Sequence, residues 1–211
     1  MDALISTLPG WLQQVSGWEM LAVLLGLAYL LLAMRESIWC WYAAFLSTLI
    51  YLFLFRNVGL LMESALQVYY LAMAVYGWWH WKSAGTAPGE TLEVQTWPLA
   101  HHLRAIALVL VLAGVSGTLL SQVSYAEWPY LDSFTTWGSV LTTWMVARKL
   151  LENWLYWFVI DSVSLCLYLD RGLYLTALLF ALYLLIVIFG FLQWQRHFHE
   201  QDAGSPAKSA G

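Results

Sequence analysis

The sequence contains very little charge. Of its 211 residues only 10% are Asp, Glu, Lys or Arg, whereas about a quarter of a soluble domain is charged. In their place 61% of the residues are hydrophobic and 17% aromatic, and the mean hydropathy is +0.66. Such a chain cannot cover a water-exposed surface with polar groups, so the composition excludes a soluble protein and predicts an integral membrane protein.

The motifs of several chemistries are also missing. The two cysteines, Cys40 and Cys166, lack CxxC spacing and stand in apolar runs, which favours small apolar filler over a disulfide or a thiolate metal site. None of the five histidines belongs to an HExxH motif, and no GxxxxGK[ST] motif for nucleotide phosphates is present. We therefore expect no catalytic residues, no metal, no cofactor and no ATP drive by this chain.

Long apolar runs dominate what is there. Each run approaches the ~20 residues that cross a ~30 Å hydrocarbon core, and lipid requires every segment to satisfy its own backbone, so the runs predict helices. The seven predicted spans are 18–34, 38–55, 60–81, 103–121, 133–151, 154–170 and 173–194.

Basic residues predict the orientation of the spans. With the N-terminus outside, two basic residues (Arg56 and Arg171) fall on the outer side and seven on the inner side. The seven inner ones are Arg35, Lys82, Arg104, Arg148, Lys149, Arg196 and Lys208. This positive-inside bias predicts an N-terminus on the outer side and a C-terminus in the cytoplasm.

Two parts of the sequence resemble each other. The segments "YYLAMAVYGWWHW" (69–81) and "LYLLIVIFGFLQW" (182–194) align at a separation of 113 residues, so Gly77 meets Gly190. Further upstream the shared glutamates and tryptophans suggest a separation of 116, with Glu36 on Glu152 and Trp41 on Trp157. This repeat predicts two parallel three-helix units joined by a linker helix, an arrangement found in transporters with a midplane site between the halves.

The repeat divides the chain into six parts. We predict an interfacial periplasmic segment (1–17), a first three-helix unit (18–81), a flexible cytoplasmic loop (82–102), a linker helix (103–121), a second three-helix unit (133–194) and a flexible cytoplasmic tail (195–211).

Asp161 is the most unusual residue of the second unit, because a carboxylate in the middle of a membrane is costly and marks a functional site by default. Trp154, Trp157 and Asp161 are spaced i, i+3 and i+7 and therefore share one helix face. Charge pairing and cation–π contact with the indoles would hold a small, flat organic cation. The alternative is that Asp161 is a structural partner of a Tyr or Gln.

Two other spans carry polar stripes. Span 3 contains Glu63, Gln67 and Tyr70 at helical spacing, and span 5 contains Thr136 and Ser139, flanked on the same face by Asp132 and Thr143. For any single hydroxyl the better interpretation is a hydrogen bond to its own helix or packing against a neighbour. Together the three stripes favour a binding site.

These same regions resemble one family, the PnuC-type nicotinamide riboside transporters. The resemblance covers nearly all of the membrane region and is most specific in "ARKLLENWLYW" (147–157) and "QVYYLAMAVYGWW" (67–79). It implies a seven-helix 3+1+3 fold of the full-length SWEET type, a homotrimer, and vitamin uptake across the bacterial inner membrane by facilitated diffusion. A cytoplasmic kinase would trap the product by phosphorylation.

The resemblance also implies particular binding residues. Trp154 and Trp157 match the family's tryptophan pair, Asn153 its amide, and Gln67 its span-3 glutamine. Asp161 departs from relatives that have asparagine there, so thiamine, also a flat cation, is an alternative substrate. The expected partners are the vitamin, the lipid bilayer and a second and third copy of the chain, with no nucleic acid.

Two other classes of protein are compatible with the residues alone. One is an intramembrane enzyme that uses Asp161, although the histidines map about 10 Å away at the surface. The other is a membrane scaffold or sensor whose polar stripes only bond helices together.

Overall fold

The part of the chain that the computed structural model describes contains seven α-helices. It comprises residues 17–57, 61–83, 92–123, 128–170, 172 and 174–204, except for the side chains of 61–63, 65, 123, 175 and 204. The helices are α1 (Gly17–Met34), α2 (Trp39–Asn57), α3 (Leu61–Ser83), α4 (Leu99–Val123), α5 (Pro129–Ala147), α6 (Asn153–Asp170) and α7 (Tyr174–Gly204). The prediction of an all-helical protein is confirmed.

Among the residues that the structure describes, four stretches are long and apolar enough to cross a membrane by length and composition, namely Gly17–Met34, Trp39–Asn57, Leu99–Gln122 and Thr176–Ala203. The predicted interfacial segment before residue 17, the loop residues 84–91 and the tail beyond residue 204 lie outside the described residues.

Three helices differ from the predicted spans by several residues. Helix α4 begins at Leu99 instead of 103, and α7 continues to Gly204 instead of 194. Helix α5 lies four residues earlier than predicted, because Pro129 begins it and Lys149 adopts a positive φ of 51° just after it. Proline is favoured in the first helical turn because its missing N–H would be unpaired there.

The first compact unit extends from Met1 to Trp78. Within it α1 packs against α2, and the buried Ser47 hydroxyl donates a hydrogen bond of 2.8 Å to the Ala22 carbonyl. The ring of the buried Trp41 covers Gly77 so closely that a Cβ atom at that position would overlap it. This glycine is therefore needed for contact between two helices of the unit.

The second unit extends from Trp79 to Gly211. In it α4 packs on α5, α5 on α6, and α6 on α7. Trp154 is 1% exposed, and its ring covers Gly190, where an added Cβ would lie 2.6 Å from it. Trp154 also meets Trp194 edge to face, with ring centroids 5.5 Å apart.

The two units repeat each other at a constant separation of 113 residues. That separation relates Trp41 to Trp154 and Gly77 to Gly190, and each tryptophan covers its own glycine. The predicted separation of 116 residues upstream, which matched Trp41 with Trp157, is therefore wrong. Sequence matching favoured it because two glutamates and two tryptophans happen to coincide, whereas the packing partner is fixed by the glycine.

The turns that follow α1 and α5 repeat in the same way. Glu36 and Lys149, the non-glycine residues with positive φ among the described residues, have φ of 54° and 51° and are 113 residues apart. Each donates its amide to the residue three positions earlier, at 2.9 and 3.0 Å. This left-handed helix cap usually contains glycine, because other residues pay about 1–2 kcal/mol in that conformation. Neither turn has a glycine at this position, so both contain a residue in an unfavourable backbone conformation.

Candidate functional site

The polar face of α6 is the central feature of the candidate site. Asp161 lies midway along this helix and is only 5% exposed. Trp154, Asp161 and Ser164 are all buried, and Trp157 between them is half-buried. The predicted stripe therefore exists, and it faces the interior of the protein.

Asp161 lies far from both ends of α6. About 12 Å of helix separates it from Asn153 at one end of α6, and slightly more from Asp170 at the other, at ~1.5 Å per residue. A carboxylate near the centre of a membrane costs roughly 2.5–3.5 kcal/mol on insertion scales. In a helix that crosses a membrane, a carboxylate at this position requires a partner or a function.

The two predicted tryptophans differ in their surroundings. Trp154 is enclosed by Gly190 and Trp194, so its ring face is occupied by protein. Its buried indole N–H has no hydrogen-bond partner among the described residues. Trp157 lies one turn closer to Asp161 and remains half-buried. Trp157 is therefore the better candidate for a stacking surface, and Trp154 sets the position of α6 against α7.

Asn153 begins α6 and is completely buried. Its Nδ2 donates a hydrogen bond of 2.6 Å to the Leu150 carbonyl, which fixes the turn before the helix. Its Oδ1 has no partner within the described part of the chain. Buried polar atoms usually have partners, so this acceptor and the Trp154 N–H are two groups that a ligand could satisfy.

The predicted hydroxyls of α5 mostly bond to their own helix. Thr136 is exposed and donates to the Asp132 carbonyl at 2.8 Å, and Thr143 donates to the carbonyl of Ser139 at 2.8 Å. Ser139 itself is half-buried. These bonds are the local alternative expected from the sequence, although a hydroxyl oxygen that donates to its helix can still accept from a ligand.

In the first unit, Gln67 and Tyr70 are both half-buried on α3. The Tyr70 ring lies against the neighbouring Tyr69, with centroids 5.6 Å apart. Glu63 belongs to α3, but its side chain lies outside the described residues. The repeat assigns the buried Thr48 to the position that Asp161 occupies in the second unit. The acidic group is therefore a feature of the second unit alone at this position.

Ser164 and Ser133 are among the buried hydroxyls that were not predicted from the sequence. Ser164 is 7% exposed and follows Asp161 by three residues, so the period of the stripe was enough to predict it. Ser133 is 3% exposed, and its Oγ has no partner among the described residues. Ser133 lies off the predicted stripe of α5, and no pattern in the sequence indicates it.

A cavity of about 280 Å³ lies on the other side of α6. It is lined by apolar residues of α4, α5 and α6, among them Val109, Phe134 and Val159. No predicted site residue belongs to this lining. A cavity without polar groups does not fit a vitamin that carries several hydroxyls.

Helices long and apolar enough to cross a membrane indicate an integral membrane protein, and the buried carboxylate midway along α6 marks a candidate site in it. The particular family follows from comparison. Residues 16–196 match the nicotinamide mononucleotide transporter family, and the chain belongs to it.

Several relatives are named as transporters. The chain is 29% identical to the riboflavin/roseoflavin transporter RibM of Streptomyces davaonensis, with 86% of each chain covered. It is 24% identical to the nicotinamide riboside transporter PnuC of Escherichia coli, with 83% of this chain and 84% of that protein covered.

The fold also resembles a solved structure. A crystal structure of the vitamin B3 transporter PnuC matches with a TM-score of 0.68 at 18% identity, covering 85% of this chain and 81% of that one.

Proposed function

We propose that the protein carries nicotinamide riboside across the bacterial inner membrane by facilitated diffusion, with alternating access and without an ion gradient. The N-terminus lies in the periplasm and the C-terminus in the cytoplasm, and three copies assemble. Phosphorylation by a cytoplasmic kinase traps the product. Family membership supports transport of a vitamin, and the positive-inside distribution of basic residues supports the orientation.

The observation that carries the choice of substrate is the burial of Asp161 halfway along α6. Nicotinamide riboside has a positively charged ring, which a carboxylate and the half-buried Trp157 ring can hold together. Buried groups such as the Asn153 Oδ1 can accept from ribose hydroxyls when the site opens.

The 3+1+3 arrangement is part of the same proposal. It is supported by the constant separation of 113 residues, which relates α1, α2 and α3 to α5, α6 and α7 nearly residue for residue. Helix α4 then has no counterpart and is the linker. Parallel repeats of this kind are a known transporter architecture.

Riboflavin is the second candidate substrate, because a riboflavin transporter is a 29% identical relative. Thiamine remains the cationic alternative. Charge separates riboflavin, which is neutral at pH 7, from nicotinamide riboside and thiamine, which are cations. A competition assay between the two cations separates those.

Binding to purified protein tests the proposal. Nicotinamide riboside should bind at least tenfold more tightly than its mononucleotide, whose phosphate is costly to bury beside a carboxylate. Asp161→Asn should weaken binding of nicotinamide riboside at least tenfold, about 1.4 kcal/mol. The affinity for riboflavin should stay within twofold of that of the wild type.

Asp170→Asn is the matched control, because this exposed carboxylate at the other end of α6 accepts from the Trp128 indole at 3.0 Å. Its binding should match that of the wild type. Equal affinity for riboside and mononucleotide, or an unaffected Asp161→Asn variant, would contradict the proposed recognition. Asp161→Asn and Trp157→Ala could instead lower stability and leave uptake at the wild-type level. That result would favour the alternative of a membrane scaffold or sensor, in which these side chains only hold helices together.

A further inference from the structure

The segment that precedes α4, residues 92–98, is bonded to the turn between α5 and α6. The Gln95 amide donates to the Lys149 carbonyl at 3.0 Å, and the Gln95 carbonyl accepts from the Leu151 amide at 2.8 Å. The two bonds form a parallel β-bridge between Gln95 and Leu150. We call residues 92–98 the strap. Composition predicts a flexible connector over 82–102, and within it the backbone of Gln95 is paired with the α5–α6 turn.

Lys149 holds the start of the strap. Its side chain is buried, and its Nζ donates to the Leu92 carbonyl at 2.9 Å while lying 4.9 Å from the centroid of the Trp81 ring. The same residue has the positive φ of 51° that ends the α5 cap. Glycine adopts this backbone conformation at a lower cost than lysine. The contacts of the lysine side chain with Leu92 and Trp81 therefore explain why a lysine stands here.

Glu152 holds the end of the strap. Its Oε1 accepts from the Trp97 amide at 3.0 Å and lies 3.5 Å from the His102 Nε2. The other nitrogen of His102 is 3.0 Å from the Tyr156 hydroxyl. One carboxylate thus joins the strap, the first turn of α4 and the first turn of α6.

A third side chain that holds the strap lies on α7. The Val94 amide donates to the Gln201 side chain at 3.2 Å, in the part of α7 that continues past the predicted end of its span. The Trp97 ring adds contacts with Trp144 on α5 and His102 on α4, with centroids 5.7 and 5.6 Å apart. The strap therefore connects α4, the α5–α6 turn and α7 at one end of the unit.

This end of α6 leads directly to the candidate site. Asn153, Trp154, Trp157 and Asp161 follow Glu152 on the same helix. Inner opening of a carrier requires the cytoplasmic ends of its helices to separate, and every bond described above opposes such separation. The amides that the strap pairs can be satisfied by cytoplasmic water once it detaches.

We propose that the strap is a latch that closes the cytoplasmic end of the second unit and detaches from the α5–α6 turn in each transport cycle. This inference rests on the proposed function, because a latch of this kind has a purpose only in a carrier. Lys149 and Glu152 are positioning residues in it, and neither needs to touch the vitamin.

A reversible disulfide tests the latch directly. Residues paired across a β-bridge lie about 4.8 Å apart, within the Cα range of a disulfide, so Gln95→Cys with Leu150→Cys can be joined in place. Replacing the exposed Cys166 with alanine leaves the buried Cys40 as the remaining native thiol. The two single-cysteine variants are the controls.

In proteoliposomes the oxidised pair should bind the riboside within twofold of the reduced protein but carry it at least tenfold more slowly, and reductant should restore the rate. Transport at an equal rate in both states would overturn the latch. If the wild-type protein itself carried no vitamin, the proposed function would fail. Amide exchange, which needs no substrate, would then test the latch on its own.

Hydrogen exchange provides that second measurement. The amides of Val94, Gln95, Trp97 and Leu151 should exchange together, and faster than those in the middle of α6. Lys149→Gly should accelerate the exchange of these amides at least tenfold, because it removes the hydrogen bond to the Leu92 carbonyl. Glycine readily adopts the positive φ at this position, so the turn itself should be preserved. Glu36→Gly, the same change at the equivalent turn of the first unit, should leave them within twofold. Exchange as slow as in the middle of α6, or no response to Lys149→Gly, would overturn the latch.

Discussion

Gly190 shows how a single residue determines the packing of the second unit. The Trp154 ring covers it, and an added Cβ would lie 2.6 Å from that ring. The ring is large and buried, so neither partner has space to move. The same relation between Trp41 and Gly77 indicates that a tryptophan over a glycine is how each unit joins its last two helices.

Gly190→Ala should therefore reduce the free energy of unfolding by about 1–3 kcal/mol through overpacking. The control is Gly114→Ala on α4, where a Cβ meets nothing within 4 Å and alanine should add about 0.5–1 kcal/mol. Thermal unfolding in detergent measures both. Equal unfolding temperatures for the two variants would show that Trp154 moves aside freely.

At the same scale, spacing alone located the candidate site. The positions of Trp154, Trp157 and Asp161 on one face follow from a helical period, and the structure shows Asp161 buried. Spacing could not show that Trp154 is enclosed by Gly190, because the glycine is distant in the sequence. Nor could it show that Asn153 is bonded to the turn before it.

At the scale of the helix, α6 contains most of the candidate site. It begins beside the strap and ends at Asp170, with Asp161 in the middle. Apolar runs predicted this helix and the others because lipid leaves a spanning segment few alternatives. Helix α5 ends earlier than predicted where Lys149 adopts a positive φ, and the side chain of that lysine bonds to the distant Leu92 carbonyl. A window of hydropathy contains no information about such contacts.

The direction of α6 can be tested with a native thiol. Cys166 is exposed near the end of α6 and lines a cavity of about 470 Å³ together with Trp128 and Asp170. If the N-terminus is periplasmic, this end of α6 faces outward, and a membrane-impermeant maleimide added to intact cells should label Cys166. The buried Cys40 should stay unlabelled, and Cys166→Ser is the control. Labelling only after the cells are opened would contradict the orientation.

At the scale of the whole chain, the repeat explains why the two units share packing but differ in chemistry. A separation of 113 residues relates Glu36 to Lys149 and Thr48 to Asp161. Both units have a tryptophan that covers a glycine. The second unit alone has a carboxylate at the position of Asp161 and a lysine that is bonded to the strap. The sequence predicted that a repeat exists, but its register depends on packing that only the structure shows.

Uptake into proteoliposomes tests most directly the proposal that this protein is a passive carrier of a cationic vitamin. Labelled nicotinamide riboside should enter vesicles that contain the wild-type protein until its internal and external concentrations are equal, with or without a proton or sodium gradient. Asp161→Asn should slow entry at external concentrations well below saturation. Accumulation above the external concentration when a gradient is applied, or no entry beyond that of protein-free vesicles, would contradict the claim.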